Sequence, residues 1–174
     1  MRVNKPSPIL GFSLVELLIV ISIIGILATL AASGFLASQR RGRDAKRKSD
    51  FRQLANALEL HFSDYGIYPA ADIEGRILAC PTPSGPCNWG TDEFTDGNTI
   101  YAKIVPSDPL SNQNYFYRLP LGSSAFQLFT RLESKSDRDC INGNCEDPVT
   151  HLCGTGEKDF CNFSITSPNV SPIE

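Results

Sequence analysis

Three groups of residues in this chain have types and spacings that could do chemistry. The first is six cysteines, at positions 80, 87, 140, 145, 153 and 161. An even number of cysteines points to disulfides in an oxidising compartment. Many connectivities are open; pairing between sequence neighbours (Cys80 with Cys87, Cys140 with Cys145, Cys153 with Cys161) closes the shortest loops and is the expectation. Zinc is the rival, but the close Cys-x-x-Cys spacing is missing and only His61 and His151 could complete a set. The second group is Asp137, Asp139, Asn142, Asn144, Glu146 and Asp147. Oxygen ligands at near-alternating positions suit a calcium ion, although the spacing is not that of an EF-hand. A solvated acidic turn accounts for the same residues. The third is a single carboxylate, Glu16, at the edge of a stretch without charge from Leu17 to Ala37. Carrying a charged acid to the centre of a bilayer costs about 2.5–3.5 kcal/mol, so it asks for a partner unless it stays at headgroup depth. No nucleophile with its base, and no full ligand set, stands in the sequence to support catalysis. The Cys153-Gly154-Thr155-Gly156-Glu157-Lys158 stretch lacks the Gly-Lys-Ser/Thr ending of a phosphate loop. Asn162-Phe163-Ser164 and Asn169-Val170-Ser171 fit the glycosylation pattern, which also arises by chance.

The elements that position these groups follow from periodicity. The stretch from Gly11 to Ser38 is long enough to cross a bilayer, which takes roughly 20 apolar residues as a helix. Within it Gly25, Ala28 and Ala32 are small and fall on nearly one face, which suits close helix packing or ordinary lipid contact. From Gln39 to Tyr65, Phe51, Leu54, Ala55, Leu58, Phe62 and Tyr65 recur at helical spacing, and Gly66 and Pro69 mark a stop. One continuous helix over 12–65 would be on the order of 80 Å long, with a weak point at Ser33 and Gly34. Residues 66–114, rich in Gly, Pro, Asn and Ser, predict an irregular connection with short elements. Tyr115–Leu119, Phe126–Leu132 and Cys161–Ile165 alternate with period two, as half-buried strands do. Three or four antiparallel strands packed on the amphipathic half of the helix give an α+β class.

The residues before the apolar stretch add a second kind of information. Met1–Leu10 carries Arg2 and Lys5, and Gly11-Phe12-Ser13-Leu14-Val15-Glu16 follows. An ordinary secretory signal places its apolar core before the cleavage site; here it comes after. This arrangement resembles the prepilin motif of type IV pilins and type II secretion pseudopilins. The resemblance implies cleavage by a prepilin peptidase between Gly11 and Phe12, on the cytoplasmic face, and methylation of the new amine on Phe12. It also implies that Glu16 faces the N-terminal ammonium of a neighbouring subunit in a helical homo-oligomeric filament. Its implied partners are an inner-membrane assembly platform, an assembly ATPase and, before assembly, membrane lipid. Phe62 to Pro69, Val105-Pro106-Ser107-Asp108-Pro109 and Asn112 to Tyr117 resemble landmarks of major pseudopilins. Many pilins have a proline at the place of Ser33. Major pseudopilins hold calcium in a C-terminal loop, and this chain departs from their pattern there.

The expected organisation is a leader at 1–11, a transmembrane and filament-core helix at 12–38, a spine helix at 39–65 and a disulfide-containing head at 66–174. The expected function is a structural filament subunit rather than an enzyme. It would be a single-pass protein of the cytoplasmic membrane with its head outside the cytoplasm, later part of a surface or periplasmic filament. A surface pilus, a secretion pseudopilus and a non-polymerising membrane-anchored head that binds calcium are the alternatives. Charge raises a conflict. Arg40, Arg41, Arg43, Lys46, Arg47 and Lys48 follow the span and outnumber Arg2 and Lys5, so the positive-inside rule would place them in the cytoplasm. Residues 39–65 hold seven Lys/Arg against four Asp/Glu, and residues 66–174 hold seven against fourteen. The basic stretch therefore reads as a solvated face, as a partner of anionic lipid, or as a partner of acidic neighbouring heads. Nucleic acid is a weaker partner, because no aromatics interleave the basic residues.

Overall fold

The computed structural model describes residues 11–80, 85–120, 124–146, 151–154, 159–168 and 170–171; the side chains of residues 30–33 fall outside that description. The expectations on residues 1–10 of the leader, on the side chains of Ala32 and Ser33, on Asp147 and on Asn169 therefore fall outside it. One long helix, α1, covers Leu14–Tyr65. No proline interrupts it, and the helical assignment continues through Ser33 and Gly34. Gly66 ends it with φ +71°, a left-handed conformation that glycine adopts without steric cost. Its N–H donates to the Phe62 carbonyl at 2.7 Å.

The chain divides into two compact units, Met1–Gln39 and Arg40–Glu174. In the first, the described apolar side chains of α1 are exposed, Leu14, Leu18, Ile24 and Leu27 among them. The helix is long and apolar enough to cross a membrane, with a mean hydropathy of 2.7 over its most apolar stretch.

The second unit is built from the polar half of α1 and, among the described residues, five short strands: β1 (Phe94–Thr95), β2 (Ile100–Ala102), β3 (Phe116–Arg118), β4 (Gln127–Thr130) and β5 (Phe163–Thr166). β1 and β2 form an antiparallel pair, and β3, β4 and β5 form an antiparallel sheet in that order. Tyr117 faces Leu128 across one ladder, and Leu128 faces Ile165 across the other. The helix stripe of Phe51, Leu54, Ala57 and Leu58 is buried in one cluster with Tyr115, Tyr117, Leu128 and Phe163. Each such side chain contributes about 1.5–3 kcal/mol on burial, and this is the layer of helix on sheet that the α+β reading anticipates. Tyr65, placed on that stripe by spacing, is half exposed instead, because the helix ends there.

The central strand differs from the half-buried expectation. All four residues of β4 are buried. Leu128 turns toward the helix, while Phe129 packs on the other side with Ile141, Cys153 and Cys161, and with Phe116 at the margin. A second layer, formed by the C-terminal loops, covers the face that alternation alone would assign to solvent.

Candidate functional site

At the start of α1, Gly11 and Phe12 precede the first helical turn and Ser13 stands just before it. Phe12 is exposed. Glu16 bends back so that its Oε2 accepts the backbone N–H of Ser13 at 3.0 Å. This is half of a capping box, in which an acid three residues into the helix satisfies the donor at the cap. A carboxylate there also meets the positive end of the helix dipole. Glu16 thus has a partner within its own chain, and Ser13-x-x-Glu16 is the sequence signal for it. The small residues Gly25 and Ala28 are exposed, and a Cβ added at Gly25 would meet nothing.

The basic stretch is not a uniformly solvated face. Continuing the buried stripe of α1 back by one and two turns from Phe51 leads to Arg47 and Asp44, both buried. The Arg47 guanidinium donates through Nε and Nη2 to both oxygens of Asp108, at 2.7 and 2.8 Å. Its Nη1 donates to Asp44 and to Glu133, each at 2.8 Å. Arg43 adds a second fork onto Glu133, at 2.7 and 2.5 Å. Asp44 also accepts the backbone N–H groups of Glu133 and Ser134, at 2.9 Å each. The Asp108 carboxylate of the Asp108-Pro109 landmark thus anchors its loop to α1 by a bidentate pair, the stronger form of such bonds. Burial opposes the charge on Arg47, but its bonds to Asp108, Glu133 and Asp44 outweigh it and hold the guanidinium further protonated. The Arg43 bond holds the Glu133 carboxyl down at about 2, against the effect of its burial and with the help of Arg47. One turn on, Asp50 accepts the Tyr115 hydroxyl at 3.0 Å, and burial raises its pKa.

The oxygen-rich loop expected to suit calcium is organised around an ammonium. Lys48 Nζ lies 2.7 Å from both oxygens of Asp137 and 2.7 Å from Oδ2 of Asp139. Asn142 is exposed with φ 59°, and Asn144 Oδ1 accepts the Glu146 N–H at 2.9 Å. Asp147 lies outside the described residues. Among the described residues no three His, Cys, Asp or Glu side chains are grouped to hold a metal, and carboxylate oxygens engaged with Lys48 do not fit a divalent ion as they stand.

The six cysteines form Cys80–Cys87, Cys140–Cys145 and Cys153–Cys161. Cys80, Cys87, Cys153 and Cys161 are fully buried. Asn162, in the first glycosylation pattern, is buried too. Its Oδ1 accepts the Leu132 N–H, and its Nδ2 donates to the Leu132 and Cys145 carbonyls. It staples the C-terminal loops to the end of β4 and has no free amide to carry a glycan.

Residues 9–32 match the prokaryotic N-terminal methylation motif. Over 141 residues the chain is 30% identical to the type II secretion system core protein G of Pseudomonas aeruginosa, a match that spans 77% of this chain and 93% of that protein. It is 31% identical over 122 residues to the protein of the same name from Vibrio cholerae, covering 69% of this chain and 77% of the relative. A type IV major pilin protein of Myxococcus xanthus is 39% identical over 82 residues, 47% of this chain and 36% of the pilin. No solved structure matches the chain.

Proposed function

The chain belongs to the family of the type II secretion system core protein G, related to type IV pilins, and from that premise we propose that it is a structural subunit of a pseudopilus-type filament with no enzymatic role. The observation that carries the reading is the combination of Gly11-Phe12, the backward-turned Glu16 and an uncharged helical stretch from Leu17 whose described side chains are exposed. A prepilin peptidase would cut after Gly11 and methylate Phe12. The subunit would then wait as a single-pass protein of the cytoplasmic membrane, where a helix satisfies its own backbone polar groups.

Assembly follows from the same helix. The exposed apolar faces of several copies pack into a filament core. The Glu16 carboxylate, held near its own helix start by the Ser13 N–H, comes to face the Phe12 ammonium of a neighbouring copy. A buried charge with a counter-ion is tolerated and one without is costly, so that pair sets the axial register. Extraction from the membrane is assigned to an assembly platform and ATPase. A secretion pseudopilus is favoured over a surface pilus because the similarity to core protein G spans 77% of this chain and 93% of that relative, whereas the pilin match covers about a third of its relative.

In this reading the head lies outside the cytoplasm. Its three disulfides support this. The basic residues after the span oppose it by their number, and the disulfides together with the prepilin motif outweigh them in this reading. Arg43, Arg47 and Lys48 are bound to Glu133, Asp108, Asp44, Asp137 and Asp139 of the same unit. These pairs form only once the head has folded, after insertion.

Glu16→Ala tests the reading. In cells expressing that variant, membrane insertion is expected to persist while filaments recovered by shearing disappear. Filaments in undiminished amount would refute assembly through this carboxylate.

A further inference from the structure

We propose that Lys48 is the resident cation of the 137–146 loop: its ammonium does within the chain what a bound metal would otherwise do, so the head completes its fold without calcium. This inference does not rest on the filament reading. It rests on a match of donors to acceptors. An ammonium has three N–H donors. Three carboxylate oxygens lie within bonding distance of Lys48 Nζ: Oδ1 and Oδ2 of Asp137 and Oδ2 of Asp139, each at 2.7 Å. The Lys48 and Asp137 side chains are 17% and 19% exposed, so water competes weakly for the pair, while Asp139 sits at the rim at 60%. The Asp139 N–H donates to Asp137 Oδ1 at 3.0 Å, which folds the two carboxylates toward one point.

The surroundings keep the ammonium there. Lys48 stands on α1 one residue after the buried Arg47, and its Nζ lies 5.9 Å from the Phe163 ring centroid, over the first residue of β5. The loop is closed beyond the aspartates by Cys140–Cys145. It is pinned to the chain before β5 by Ile141 N–H donating to the Asn162 carbonyl at 2.9 Å, and by Asn162 Nδ2 donating to the Cys145 carbonyl at 3.2 Å. Calcium takes six to eight oxygens. Here it would have to take Asp137 and Asp139 from Lys48 and then sit beside the displaced positive charge. The loop is thus held to the spine helix by two ion pairs from Lys48 and closed on itself by one disulfide, and neither tie calls for a divalent cation.

The test uses the full chain in detergent, oxidised, with unfolding followed by the fluorescence of Trp89, the single tryptophan, which packs edge-on to Tyr115 in the head. The wild type is expected to unfold at the same temperature in excess EDTA and in millimolar calcium. Lys48→Met is expected to lower Tm by about 4–8 °C, since it strips charged partners from Asp137 and Asp139. Recovery of that variant on adding calcium would also support the proposal, because the metal enters only once the ammonium is gone. Asp139→Asn, at the rim, gives a milder arm with a smaller fall should Lys48→Met not fold. A wild type that loses stability in EDTA and regains it with calcium would overturn the proposal. So would a Lys48→Met chain as stable as the wild type.

Discussion

Replacing Arg47 by methionine is the perturbation whose size the structure sets most clearly. Arg47 and Asp108 have no exposed side-chain surface, Asp44 is 3% exposed and Glu133 15%. Methionine keeps much of the stem volume but removes every donor, so two fully buried acids and one largely buried acid lose their shared cation. Leaving a buried pair broken costs about 3–5 kcal/mol. For a chain of this size that corresponds to a fall in Tm of about 6–20 °C. The assay is thermal unfolding of the full chain in detergent, read by near-ultraviolet circular dichroism, which reports the packed rings of the head rather than the apolar helix. A second signature separates charge loss from mere repacking. In the wild type Glu133 is held at about 2, below its ordinary 4.5. A depressed carboxyl contributes stability that is present above its unfolded pKa and lost as pH falls toward the folded one. The wild type therefore loses this contribution between about pH 4.5 and about pH 2. In Arg47→Met the share that Arg47 supplies is absent while the Arg43 fork on Glu133 remains, so the gap between the two proteins narrows in part as the solution is acidified through that window. A variant within about 1 kcal/mol of the wild type at neutral pH, or a gap that stays constant on acidification, would refute the account of this cluster.

Gly75→Ala should destabilise the head by about 2–3 kcal/mol, through a positive φ and overpacking: Gly75 has φ +74°, and an added Cβ would lie 2.3 Å from the Phe116 ring. Chemical denaturation measures it, and unchanged stability would mean that this turn is placed otherwise. Asn162→Ala leaves the Leu132 N–H and carbonyl and the Cys145 carbonyl without their side-chain partner, at about 2–4 kcal/mol. Faster amide exchange at Leu132 in that variant would report the freed end of β4, whereas wild-type exchange there would count against the staple.

Much of the fold is legible in the residues because its signals are periodic. The apolar stretch after Gly11, the Phe51 to Leu58 stripe and the alternation around Tyr117, Leu128 and Ile165 each repeat with the spacing of the element they form. What escapes such a reading is physical in each case. Charges on a helix register as solvated, so Arg47 and Asp44 are not seen as core; only Asp108, 61 residues later, and Glu133, 86 residues later, make them buried. Lys48 and Asp137 are 89 residues apart, so the acidic loop reads as a metal ligand set until the ammonium is placed in it. Alternation in β4 assigns Phe129 to solvent because the covering layer comes from loops that carry no period. The Ser13-x-x-Glu16 box is visible in the residues, yet an acid beside an apolar stretch draws attention to the membrane before it suggests a cap.

The central claim is that the helix tip is trimmed and capped for packing against another copy of itself, and intact-mass and N-terminal fragment spectra of the protein recovered from membranes and sheared filaments test it most directly. The expected spectrum shows a chain lacking residues 1–11, beginning at Phe12 and carrying one methyl group on its amine, in both fractions. A filament or membrane fraction whose chains still begin at Met1 would contradict it.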